Sequence, residues 1–136
     1  MAKTPVTLMV DGFKDREVAM VEYAFTKAID KENQTTGITR GGNITLKVKA
    51  MNDGTNELLG WMCDSSLAKD GKIVFMNSSD VKKKMKDVEF KGAYCVNFEE
   101  KWIDTTKPDD LAHWELITIT CKEITNQAVV FENNWN

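Results

Sequence analysis

The chain's single histidine, His113, stands between Ala112 and Trp114 at the entrance to an apolar segment. As a general base it would need a thiol or hydroxyl brought beside it by folding. The three cysteines, Cys63, Cys95 and Cys121, are the first candidates. No two of them form a CxxC pair, and their spacing suits neither a zinc site nor a disulfide framework. Each lies among apolar neighbours, which predicts buried free thiols and suits a reducing cytoplasm. Gly41-Gly42-Asn43 and Ser78-Ser79-Asp80 are isolated turn signals, not phosphate loops. The carboxylate pairs Glu99-Glu100 and Asp109-Asp110 fall in predicted loops, where solvated charge is the default reading. There is no GxSxG and no HExxH. Catalysis needs several convergent polar groups, so the expectation is a chain that is not an enzyme, with no catalytic, cofactor-binding or metal-ligating residue.

Composition narrows the classes further. The 136 residues suit one domain, here residues 1–136, with a core that needs no staple. Net charge is -3 and aromatics are 9% of residues, which supports neither the electrostatics nor the stacking platform of a nucleic-acid binder. The longest basic run, Lys82, Lys83, Lys84 and Lys86, is flanked by Asp80, Asp87 and Glu89 and reads as a solvated turn. The apolar run Val6 to Val10 is too short for a signal-peptide core, and no stretch approaches a membrane span.

The elements read as mainly β. Val6–Val10 predicts a first strand closed by the Asp11-Gly12 turn. A second, from about Glu17 to Ala28, carries Val18, Met20, Val21, Tyr23 and Phe25 and so looks apolar on both faces. Ile44, Leu46, Val48 and Ala50 alternate with Thr45, Lys47 and Lys49, the pattern of a half-buried strand. Asn52–Thr55 offers capping side chains to a short helix, roughly Asn56 to Ser66, whose Leu58, Leu59, Trp61 and Met62 would plug a barrel mouth or side. Asp70-Gly71 predicts a turn into Ile73–Met76. In the longest strand, Val88, Phe90, Gly92, Tyr94, Val96 and Phe98 all fall on even positions. That parity predicts a bend, not a bulge, at Gly92. After a loop over Trp102–Ala112, Ile117, Ile119 and Cys121 share a face, Asn126-Gln127 turns the chain, and Ala128–Phe131 is the last strand. Seven or eight antiparallel strands and one short flanking helix predict a small β-barrel or tight sandwich.

Two features remain. The segment Asp30–Asn43 is a long polar stretch inside a compact domain; it reads equally as a loose hairpin tip and as a functional loop. Of the four tryptophans, Trp61 suits the core, whereas Trp102 and Trp135 adjoin polar loops and a terminus, where aromatics mark protein interfaces.

Read in order, TLMVDG (Thr7–Gly12), ITLKVKAMNDGTNELLGWM (Ile44–Met62), GKIVF (Gly71–Phe75), VEFKGAYCVNFEE (Val88–Glu100), LITITCKEI (Leu116–Ile124) and ENNW (Glu132–Trp135) resemble the inner-tube protein of type VI secretion. The likeness is to the divergent TssD branch of the Hcp family and covers nearly the whole chain. The polar loop Asp104–Ala112 and the KKKMK turn depart from it. The resemblance implies an Hcp-like β-barrel whose homohexameric rings stack into a hollow tube. A contracting sheath would expel that tube, with baseplate and spike proteins and secreted effectors as partners. It further implies a protein made in the cytoplasm and secreted through the apparatus without a signal peptide, with no membrane insertion.

In the family the extended early loop packs on a neighbouring ring or subunit. The resemblance therefore makes Gln34, Thr35, Thr36, Gly37, Ile38, Thr39, Arg40, Gly41, Gly42 and Asn43 a ring-stacking contact. Two other readings stay open: a tube subunit of a phage-tail-like contractile machine, and a small ligand-binding barrel. Against the second, inward positions such as Ile44, Leu46, Val48, Phe90 and Val96 look bulky enough to fill the interior.

Overall fold

The computed structural model describes residues 6–35, 37–51, 53–76, 84–104, 112–133 and 135. The elements are β1 (Val6–Val10), β2 (Arg16–Tyr23), β3 (Asn43–Lys49), α1 (Glu57–Cys63), β4 (Lys69–Met76), β5 (Lys84–Trp102), β6 (His113–Thr120), β7 (Glu123–Asn126) and β8 (Val129–Glu132). Of the expected solvated turn, Lys82 and Lys83 lie outside the described residues, whereas Lys84 and Lys86 belong to β5; the Ser78-Ser79-Asp80 signal and most of the Trp102–Ala112 loop also lie outside them.

Strands β4-β1-β2-β3-β6-β5 follow one another, every pair antiparallel, and β5 pairs back to β4, which closes a six-stranded barrel. The β7–β8 hairpin continues the sheet from β5 through the pairs Val88–Asn126 to Lys91–Glu123. The fold is thus the mainly β, antiparallel barrel with one short helix that the strand pattern predicts. Its interior is filled. Leu8, Ile44, Leu46, Val48, Ile73, Val88, Phe90, Ile117, Ile119 and Ile124 are buried almost completely. At one end Arg16 Nη2 donates to Glu115 Oε1 and to the Lys49 carbonyl, both at 2.9 Å. This buried ion pair ties β2 to β6 across β3.

Sequence parity fails where the strands bulge. In β2 the register shifts between Val18, opposite Val48, and Met20, opposite Lys47. Val18, Val21 and Tyr23 therefore all face inward, opposite Val48, Leu46 and Ile44, and Met20 is turned outward. The strand is not apolar on two faces; an inserted residue mimics that pattern. It also stops at Tyr23, not near Ala28.

Gly92 is likewise a bulge and not a parity-keeping bend. Phe90 stands opposite Gly71 and Ala93 opposite Lys69, so Lys91 and Gly92 together face Asp70. Gly92 has φ +59° and its amide donates to Asp70 Oδ1 at 2.9 Å. A positive φ of this kind suits glycine, and the extra residue sharpens the local twist that barrel closure needs. The inward set accordingly switches from Val88 and Phe90 to Ala93 and Cys95. A second shift, between Cys95 and Asn97, returns Phe98 to the inner face and leaves Val96, expected inside, 48% exposed.

Smaller corrections have local causes. Asp70-Gly71 lies within β4, because the Asp70 carboxylate is engaged by the bulge opposite. The helix spans only Glu57–Cys63, with no side-chain cap on Asn56. Asp53 instead folds onto Thr55, with its carboxyl held well below the usual range by the hydrogen bond from Lys14 Nζ, then by Thr55. Lys14 N also donates to Glu57 Oε1 at 3.0 Å, which fastens the helix start to the β1–β2 turn. Trp61, 1% exposed, is the plug: its Nε1 donates to the Leu67 and Ala93 carbonyls at 3.0 and 3.2 Å. Cys63 ends the helix exposed, against the expectation of three buried thiols; Cys95 and Cys121 are buried. The LITITCKEI segment breaks after Thr120, and β8 begins one residue later than expected because Gln127, at φ +57°, makes the turn.

Candidate assembly surface

The predicted loop is an ordered arm. It leaves β2 after Tyr23 and returns into β3 at Asn43. Thr26 and Arg40 exchange backbone hydrogen bonds at 2.8 and 2.7 Å. Further out, Ile29 bridges Thr35. Asp30 organises the tip: its Oδ1 accepts from the Glu32 and Gln34 amides at 2.9 Å, its own amide donates to the Gln34 carbonyl, and Asn33 takes φ +65°. This is a side-chain-capped turn of the kind Asp and Asn favour. The arm presents Lys27, Lys31, Glu32, Gln34, Thr35 and Arg40 to solvent. It also exposes two isoleucines, Ile29 at 59% and Ile38 at 65%.

Of the residues predicted as a stacking contact, Gln34, Thr35, Gly37, Ile38 and Arg40 lie on the exposed part of the arm, with Thr39 between them. Gly41 and Gly42 lie at its base, and Asn43 is the first residue of β3. Thr36 falls outside the described residues. Two arm residues were missed: Phe25, because β2 was expected to run on to about Ala28, and Ile29, which fell between that strand and the predicted loop. The signal that could have found the boundary is Ala24 to Asp30, where the alternation of β2 stops.

Other outward apolar side chains lie where strands lack a neighbour. β1 meets β2 only at Thr7–Glu17 and Leu8–Arg16, so beyond Val18 the β1-facing edge of β2 has no strand partner among the described residues. β4 pairs with β5 only as far as Ala93, which leaves the same edge of Val96–Trp102 unpaired there. β8 pairs with β7 alone. These strands carry Met20, Val96, Trp102, Val129 and Val130, all exposed. Trp102, at 66%, fits the expected rim position, and Trp135 packs at a tilt against Tyr94 with ring centroids 6.1 Å apart.

His113 Nε2 lies 2.7 Å from Glu100 Oε2 across the solvent end of β5 and β6, so its recorded partner is a carboxylate and not a thiol. Burial pushes the Cys95 thiol up to about 11 and that of Cys121 up to about 12, which removes both as nucleophiles near neutrality. Among the described residues no group of His, Cys, Asp and Glu is placed to hold a metal, and no helix is long and apolar enough to cross a membrane. The surface clefts are open; one of about 550 Å³ is lined by Asp15, Arg16, Glu17, Lys49, Ala50, Met51 and Asp53. The barrel interior is instead taken up by the buried side chains named above.

A filled barrel with a protruding arm, unpaired strand edges and outward apolar side chains is the build of an assembling subunit. The chain belongs to the family described as Hemolysin coregulated protein Hcp (TssD), which matches residues 3–136. It is similar to Hcp1 from Flavobacterium johnsoniae, with 28% identity over 94% of this chain and 98% of that one, at a TM-score of 0.83. Hcp1 from E. coli EAEC 042 shares 13% identity over 96% and 99% of the two chains at a TM-score of 0.69, a likeness of fold. A chain of the sheath–tube complex of an extracellular contractile injection system shares 19% identity over 93% and 90%, at a TM-score of 0.53, again a likeness of fold. No curated protein matches the chain.

Proposed function

We propose that the chain, residues 1–136 as one unit, is the inner-tube subunit of a type VI secretion machine. Copies close into hexameric rings through the free strand edges. The rings stack into a hollow tube through the 24–42 arm, and a sheath expels the tube with its effectors. The subunit is made in the cytoplasm and leaves by that route. Sheath, baseplate and spike proteins are its other partners.

The observation that carries the reading is the arm. It is ordered by its own backbone bridges, yet projects Ile29 and Ile38 into solvent. An isolated subunit gains nothing from exposing two isoleucines on a structured projection, whereas a contact with another ring would bury them. Polar neighbours on the same arm keep the contact moderate, as a tube that must later come apart requires.

Removing Gln34–Gly42 tests the reading. The shortened chain should fold and form rings but not tubes, scored by negative-stain microscopy with native mass. Tubes of normal length would sink it. The tube of an extracellular contractile injection system is the second reading, supported by the fold likeness to that sheath–tube complex. Assembly with sheath proteins of one machine and not the other separates the two.

A further inference from the structure

We propose that the C-terminal hairpin β7–β8, with Asn133 after it, is the mount that sets the pose of the arm. Asn133 and Phe131 then act as positioning residues for whatever the arm contacts.

The hairpin and the arm are far apart in sequence but meet at two levels. At the root, Asn133 Nδ2 donates to the Cys121 carbonyl at 2.8 Å and to the Gly41 carbonyl at 3.3 Å. The backbone reinforces this: Cys121 N donates to the Gly42 carbonyl and Asn133 N to the Lys122 carbonyl, both at 2.7 Å. One side-chain amide therefore joins the arm's return strand, the β6–β7 junction and the segment after β8.

One level out, the Phe25 ring lies against Phe131 with centroids 4.9 Å apart, and Tyr23 packs edge-on to Phe25 at 6.0 Å. Beside them Asn126 Nδ2 donates to the Tyr23 hydroxyl at 2.6 Å. Phe25 precedes the Thr26–Arg40 bridge directly, so the ring that leans on the hairpin also fixes where the two arms of the loop first pair.

The glycine pair, an isolated turn signal in the sequence, gains a reason. A Cβ on Gly41 would overlap the Phe25 ring. One on Gly42 would overlap the Asn133 amide, and Gly42 has φ +101°. Both glycines let the arm's root sit flush on the mount.

The consequence for stacking rests on the tube-subunit reading; the mechanical coupling does not. Amide hydrogen exchange on the full-length protein tests the coupling. Asn133→Asp is isosteric and removes the donor shared by the two carbonyls. Exchange at the Thr26 and Arg40 amides should rise by about tenfold, the effect of losing one such bond. Val48 and Ile119 in the barrel should keep wild-type rates. Phe131→Leu and Gly41→Ala attack the same joint from its two sides and should give the same local pattern, so one unstable variant does not decide the matter. Unchanged Thr26 and Arg40 rates, or an equal rise in the barrel, would overturn the proposal, since the hairpin would then serve stability only.

Tube assembly by the same variants is read beside the Gln34–Gly42 deletion. Shorter tubes for Asn133→Asp, with rings and melting temperature unchanged, support positioning through the arm. If the deletion leaves tubes intact, the stacking reading fails while the exchange result still decides the coupling. If the deletion abolishes tubes and Asn133→Asp leaves them normal, the mount is not what poses the arm, and the inference alone fails.

Discussion

Replacing Ile38 by Asp should abolish stacking while leaving the subunit folded. Fully burying an isoleucine side chain contributes about 1.5–3 kcal/mol. Ile38 is 65% exposed and Ile29 59%, so most of that gain is still available to a partner. A contact that covers Ile38 therefore draws about 1–2 kcal/mol from it. Ile38→Ser forfeits that amount; Ile38→Asp also leaves a carboxylate facing a closed surface, which costs more unless a cation meets it. The loss repeats at every subunit around a ring, so a modest term per arm becomes decisive for a ring-on-ring junction.

The folded subunit, in contrast, buries little of Ile38, and surface substitutions of this kind move stability by less than about 0.5 kcal/mol. The assay pairs sedimentation or negative-stain microscopy for tubes with native mass for rings and thermal unfolding for the fold. Expected is an unchanged melting temperature, intact rings, and no tubes for Ile38→Asp, with partial loss for Ile38→Ser. Full-length tubes from Ile38→Asp would refute the reasoning, because Ile38 would then face solvent in the assembly too.

Two further predictions concern the barrel. Arg16 and Glu115 side chains are 3% and 5% exposed, so Arg16→Met strands a buried carboxylate and should cost about 3–5 kcal/mol in urea unfolding; adding Glu115→Leu should recover most of it, and a double variant no better than the single one would show that the pair is not the cause. The thiols give a pH dependence of fixed sign. Cys95 and Cys121 are raised to about 11 and 12 in the folded barrel, so the stability this linkage contributes is complete below the unfolded thiol range near about 8.5 and is lost as pH rises toward 11–12. Alkylation near pH 8 followed by mass measurement should accordingly modify Cys63 alone in the native protein, and prompt modification of all three would contradict the burial.

What the sequence disclosed and what it hid divide along one physical line. β3 was legible because Asn43–Lys49 is regular from end to end, so a period of two maps directly onto inside and outside. β6 was legible for the same reason, through Ile117 and Ile119. β2 and β5 were misread at their bulges, since one inserted residue exchanges the two faces and nothing in a single sequence separates an insertion from a change of preference. Gly92 marked the place, yet the parity of Val88 through Phe98 argued against a bulge only because the second one, at Val96, cancels the first. The arm was legible as a long polar interruption, and its tip follows from Asp30 and Asn33. Its mount was not, because Asn133 and Gly41 are brought together by the whole barrel.

The bulges also bear on why the apolar surface lies where it does. A closed barrel with a filled interior has no use for Met20 or Val96 inside, and at both places a register shift turns the side chain out. Closure alone could be met by polar residues at those positions, as it is by Lys91 at the Gly92 bulge. Met20 and Val96 instead stand on two barrel strands whose second edge is only partly paired among the described residues, and β8, which pairs there with β7 alone, exposes Val129 and Val130. An unpaired edge supplies backbone donors and acceptors; an outward apolar side chain beside it supplies burial. Either feature alone is common on a monomer. Their coincidence on β2, β5 and β8 is what lateral contact between copies would require, and it supports the proposal that the strands make that contact while the arm serves stacking.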